Sequence, residues 1–119
     1  MTAPSATLDE LRDALRRFAA ARDWQQFHTP KNLAAALAVE AAELLEHFQW
    51  LTPVQSARLD ARTQRAVADE IADVLVYPTR LADVLGIDAL AAARRKIRIN
   101  ARKYPVRRAR GHARKYNAL

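Results

Sequence analysis

Leu8, Leu11, Leu15 and Phe18 recur at steps of three and four residues behind Thr7, and Glu10 stands three residues after that threonine, as in a capping box. The pattern predicts a first helix from Leu8 to Ala21. Thr29-Pro30 reads as an N-cap followed by proline at the first helical position, and Leu33, Leu37, Leu44 and Phe48 then share one stripe as far as Thr52-Pro53. A second helix is therefore expected from Pro30 to Trp50. Asp60 or Thr63 caps a third, with Val67, Ile71, Val74, Leu81 and Leu85 apolar, Pro78 expected to kink it and Gly86 to stop it. Asp88 caps a fourth helix, Ala89 to Lys103, which Pro105 ends. Val54 to Asp60 is expected to be a connector with a short helical turn, and the chain from Val106 to be extended.

With only two glycines and much Ala, Leu and Arg, the composition favours helices over a turn-rich β fold, so the fold class is all-α. At 119 residues the chain has the length of a single domain, spanning residues 1–119 in a four-helix arrangement. Half the residues are hydrophobic, yet no run approaches a bilayer span, and Met1 to Ala6 carries no export signal. The absence of cysteine fits a reducing, cytoplasmic setting and removes thiolate metal sites and thiol nucleophiles. The net charge is +7, and eleven Lys or Arg with no Asp or Glu lie between Arg94 and Lys115. Such a cationic end, with residues 106–119 as a basic tail, attracts phosphate groups.

Carboxylates stand where a core is expected. On a helix, Glu40 falls about 20° from the line of Leu33 and within about 40° of Leu44, and Glu43 lies on the shoulder of the same stripe. Glu70 and Asp73 repeat the arrangement in the third helix, with Tyr77 between them in angle. Four crowded acids in a poorly hydrated space cannot all stay ionised without a cation. All-oxygen ligands select Mg²⁺, or Mn²⁺, over zinc or copper. A ferritin-like di-iron site needs Glu-x-x-His pairs, and the residue three before His47 is Leu44.

The segments RDWQQFHTPKNLAAALAVEAAELLEHFQW (Arg22 to Trp50), DEIADVLVY (Asp69 to Tyr77), RLADVLGID (Arg80 to Asp88) and KIRINARKYPV with RGHARKY (Lys96 to Tyr116) carry a resemblance. The chain resembles the MazG-like all-α nucleotide pyrophosphohydrolases, and in particular their dCTP pyrophosphatase branch. The E-x-x-E, spacer, E-x-x-D signature is present with twenty-six residues between Glu43 and Glu70, beside W-x-x-F-H-x-P-x-N-L and K-Y-P-V. The resemblance implies cleavage of a nucleoside triphosphate between the α and β phosphates, with dCTP or a 5-modified dCTP as substrate. It implies Glu40, Glu43, Glu70 and Asp73 as Mg²⁺ ligands. It further implies Trp24 and Trp50 as aromatic walls around the base, with Phe27, His28, Asn32 and Tyr77 nearby, and Lys96, Asn100, Lys103 and Tyr104 on the phosphates and sugar. Relatives assemble as dimers or tetramers, so a homo-oligomer, as a tetramer or a dimer, is expected.

The residues themselves support part of this. Lys96, Asn100 and Lys103 or Tyr104 form one polar stripe beside Leu90 and Ile97, suited to a metal-bound polyphosphate. Either Glu43 or Glu40 is the expected acceptor of the attacking water's proton, since no histidine is convincingly placed for it. Two rival readings are the same fold acting on other normal or damaged nucleotides, and a basic helical module binding nucleic acid through Arg94 to Lys115. The second gives no reason for four inward carboxylates.

Overall fold

The computed structural model describes residues 6–119; the reading of Met1 to Ala6 as lacking an export signal lies, but for Ala6, outside them. Every described element is helical: α1 (Leu8–Ala21), α2 (Pro30–Glu46), α3 (Pro53–Ser56), α4 (Ala61–Val84), α5 (Ala89–Lys103), α6 (Val106–Ala109) and a 3₁₀ turn, Tyr116–Ala118. None of them is long and apolar enough to cross a membrane. The chain divides into two compact units, one ending at Gly86 and the other Ile87–Leu119.

Local chemistry sets the helix starts. Thr7, Thr29, Thr52, Asp60 and Asp88 each accept a hydrogen bond from the backbone N–H three residues on, satisfying a donor the helix cannot. A reciprocal capping box forms at Thr52 and Gln55, whereas the Glu10 carboxylate accepts from the Ala6 N–H and not from Thr7. Helix α2 ends at Glu46, four residues before the expected Trp50. The Phe48 N–H turns back to the Leu45 carbonyl at 2.9 Å, and this tighter turn lets Phe48 tuck in while Trp50 is 86% exposed. At the other end of the chain, α6 and the 3₁₀ turn stand where an extended tail was expected, because residues 106–109 form local backbone bonds such as Ala109 N–H to Pro105 C=O at 2.9 Å.

Helix α4 continues past Pro78 to Val84 and ends at Leu85, followed by Gly86 at φ +68°, the left-handed conformation glycine takes without steric cost. One residue beyond Pro78, the Thr79 hydroxyl donates to the Leu75 carbonyl at 2.7 Å. In the first unit α4 packs along α2 and against α1. Ala19, Leu33 and Val67, one from each of these helices, are its buried apolar residues among the described residues. Ile71 and Leu85, expected on the core stripe, are exposed.

A charged clasp joins α1 to α4. Arg16 donates from Nε and Nη2 to the two carboxylate oxygens of Asp83, at 3.0 and 2.5 Å, and Arg80 Nη1 lies 3.1 Å from Asp83 Oδ2. The hydrogen bond and charge of Arg16, with the charge of Arg80, hold the Asp83 carboxyl below its ordinary value despite its burial. Asp83→Ala is expected to cost about 3 kcal/mol in urea unfolding, since it strands the buried Arg80 charge. The sign with pH follows: the depressed carboxyl contributes fully above the ordinary value of 3.8 and loses its contribution as pH falls through the folded value.

Candidate metal centre and adjoining cleft

Glu40 and Glu43 are one turn apart on α2, and α4 brings Glu70 against them, so that one oxygen of each carboxylate lies within 4.8 Å of the others. All three are half-buried. One oxygen of Glu40 and one of Glu70 have neither solvent nor a hydrogen-bond partner among the described residues. Hydrogen bonding to Glu43, desolvation, a hydrogen bond to Glu70 and the charges of Glu43 and Asp73 push the Glu40 carboxyl from 4.5 to about 7. Two orphaned carboxylate oxygens in a like-charged cluster satisfy the donor set of a hard divalent cation, and Mg²⁺ takes such oxygens while keeping waters. These residues fit a metal.

Beside the cluster, through Asp73 and Tyr77, opens a cleft of about 260 Å³ lined by Leu15, Phe18, Trp24, His28, Leu33, Asp73, Val76, Tyr77 and Arg80. Burial first, then the charges of Glu40, Asp73 and Glu43, hold the Tyr77 phenol above its ordinary value, so it remains a neutral hydroxyl. The Trp24 N–H closes back on the Ala19 carbonyl at 2.9 Å, folding the loop over the end of α1. Asp23 adopts φ +53°, and the Gln26 amide donates to both its carbonyl and its carboxylate, at 3.0 and 3.1 Å. The Trp24 ring thereby meets Phe18 edge-on at 5.7 Å and His28 at 6.3 Å. His28 accepts at Nδ1 from Arg80 Nε at 3.0 Å, which leaves its proton on Nε2. Burial, then the charge of Arg80, lowers its pKa and keeps the ring neutral.

The MazG-like family matches residues 35–119. The chain belongs to the MazG-like family. Among relatives of this MazG-like chain is dCTP pyrophosphatase 1 of Homo sapiens, 42% identical over 118 residues, 98% of this chain and 69% of the relative. The Rattus norvegicus protein of the same name is 39% identical over the same shares. A crystal structure of a pyrophosphatase from Archaeoglobus fulgidus superposes with a TM-score of 0.79 at 42% identity, over 88% of this chain and 98% of that one.

Of the residues singled out in the sequence of this MazG-like protein, Glu40, Glu43 and Glu70 converge, and Trp24, His28, Asp73 and Tyr77 line the adjoining cleft. Phe27, Asn32 and Trp50 lie outside the cleft wall: the rings of Phe27 and Trp50 are exposed, and the Asn32 amide donates to the Phe27 carbonyl at 3.0 Å. Lys96, Asn100 and Lys103 belong to the second unit and are exposed on α5. There Lys103 Nζ sits 4.8 Å over the Tyr116 ring, which Tyr104 meets edge-on at 6.1 Å. Sequence reasoning missed Arg80 and read Leu15 and Phe18 only as the apolar spacing of the first helix. Arg80 follows Asp73 by seven residues and Tyr77 by three, so its place on their helix face was the available signal.

Proposed function

We propose that this MazG-like chain is a nucleoside triphosphate pyrophosphohydrolase that converts dCTP, or a 5-substituted dCTP, to the monophosphate and pyrophosphate. The observation that carries this reading is the convergence of Glu40, Glu43 and Glu70 beside an aromatic cleft. The names of the dCTP pyrophosphatase relatives support the base and the reaction.

Glu40, Glu43 and Glu70 would hold Mg²⁺, with Mn²⁺ as a substitute, and Asp73, one turn after Glu70, supplies the fourth carboxylate. When bound, the ion neutralises phosphate oxygens and orients water. Either Glu43 or Glu40 accepts the proton of the attacking water as its oxygen adds to phosphorus and the α–β anhydride breaks. Phe18 and Trp24 enclose the base, whose stacking on an aromatic ring is worth roughly 1–3 kcal/mol in comparable sites. Lys96, Lys103, Asn100 and Tyr104 have the side-chain chemistry that suits phosphates and sugar. Val39 and Leu45 on α2 and Ile71 and Leu75 on α4 are exposed apolar residues, and we assign them to the contacts of a homodimer or homotetramer. Val76, on the same helix, lines the cleft.

Pyrophosphate release from a panel of (d)NTPs that includes 5-methyl-dCTP, with and without Mg²⁺, tests the reading. Mg²⁺-dependent release led by a cytosine deoxynucleotide is the expected result. Release led by another base overturns the substrate, and no release overturns the reaction.

A further inference from the structure

The hydrolysis proposed above has no use for Arg80, yet this residue lines the cleft and is only 7% exposed. Burying a charge there is costly, and two features of the clasp offset it. Asp83 lies 3.1 Å from Arg80 Nη1, and Asp83 is itself anchored by both donors of Arg16. One carboxylate thus serves two guanidiniums. Arg80 Nε is committed to His28 Nδ1 at 3.0 Å, whereas Nη2 has no partner among the described residues. The guanidinium is therefore held from two sides, and Arg80 lines a cleft otherwise walled mostly by Leu15, Phe18, Trp24, Leu33 and Val76.

We propose that Arg80 is a specificity-determining residue, presenting its uncommitted donors to the hydrogen-bond-accepting edge of a pyrimidine base in the cleft. This inference rests on the nucleotide pyrophosphohydrolase reading and deepens it. A cavity of about 260 Å³ lies below the usual range for drug-sized ligands and matches one ring better than two. Cytosine offers adjacent acceptors, O2 and N3, to such a donor. Thymine and uracil carry a proton at N3 that opposes it. The same matching of a guanidinium to adjacent ring acceptors underlies recognition of guanine by arginine in DNA. Asp83 and Arg16 act through Arg80 and are positioning residues.

The test compares kcat and KM for dCTP, dUTP and dTTP in the wild-type enzyme, Arg80→Met and Arg80→Lys. Arg80→Met leaves the Arg16–Asp83 pair in place to hold α1 on α4. The expected result is a loss of roughly tenfold to a hundredfold in kcat/KM for dCTP, carried mainly by KM, with the dUTP and dTTP values little changed. Arg80→Lys restores part of the discrimination, because it retains the charge and some donors. Binding of dCMP and dUMP, followed by tryptophan fluorescence, repeats the comparison without turnover. An equal loss on all three nucleotides, or a loss in kcat alone, marks a merely structural role and overturns the proposal. Should Arg80→Met fail to fold by circular dichroism, Arg80→Lys and Arg80→Gln carry the same comparison. Wild-type release with unchanged discrimination in the variants overturns this inference alone, whereas a wild-type chain that releases pyrophosphate from no nucleotide overturns the reading beneath it as well.

Discussion

Glu40→Gln is expected to abolish pyrophosphate release while raising the thermal stability of the metal-free chain. Both effects follow from the same crowding. Glu40 shares a half-buried space with Glu43 and Glu70, and one of its oxygens lacks both water and a partner. A glutamine amide removes one charge from that space and donates to a neighbouring carboxylate, so repulsion gives way to a hydrogen bond. The melting temperature in a chelator should rise by a few degrees. Turnover should fall about a hundredfold or more, the scale of losing a positioned acid–base group, with the loss of a metal-ligand charge in addition. An opposed change in the two properties marks a site whose stability has been sacrificed to its chemistry. Glu46, exposed at the end of α2, provides the control, since Glu46→Gln should leave both properties within error. Scanning fluorimetry beside a pyrophosphate assay decides the matter. A Glu40→Gln enzyme with wild-type turnover sinks the ligand assignment, and one less stable than wild type sinks the account of the cluster.

Removal of divalent metal is expected to stop turnover, and its return to stabilise the fold most strongly at alkaline pH. The Glu40 carboxyl titrates near 7 in the folded chain and near 4.5 when unfolded. Between these values the folded chain binds a proton that the unfolded chain has released, so stability falls as pH rises through the window. Above about pH 7 the contribution is gone, and the metal-free chain is at its weakest. A cation bound at a hundred times its dissociation constant adds about 2.7 kcal/mol, and it competes with that proton. The Mg²⁺-induced rise in melting temperature should therefore be larger at pH 8 than at pH 6. Asp83 does not confuse the sign, because its carboxyl is held below its ordinary value and stays ionised throughout this range. Melting curves from pH 5 to 9, in chelator or in excess Mg²⁺, test the prediction. Equal Mg²⁺ shifts at pH 6 and 8 would contradict the linkage to Glu40.

The helix starts were legible because capping is local: Thr7, Thr29, Asp60 and Asp88 each need only the backbone three residues away. The end of α2 was not, since the stripe through Phe48 persists after the helix has tightened into turns, and side-chain periodicity does not register that change. The inward face of Glu40 and Glu43 followed from angle alone, but their meeting with Glu70 required α4 to lie along α2. Arg80 is the clearest case of what position along the chain conceals. Its role depends on Asp83 one turn onward, on Arg16 sixty-seven residues from Asp83, and on His28 in a loop fifty-two residues away.

The sequence by itself determined that the chain is helical, where its helices begin, and that acids of two helices belong to one face each. These properties depend on residues within about a turn of one another, over which the chain has few conformations to choose between. Tertiary structure alone decided which carboxylate oxygens are left without partners, which rings wall the cleft and which cation stands in it. Desolvation and charge coupling act through space, and they exist only once α1, α2 and α4 have packed together.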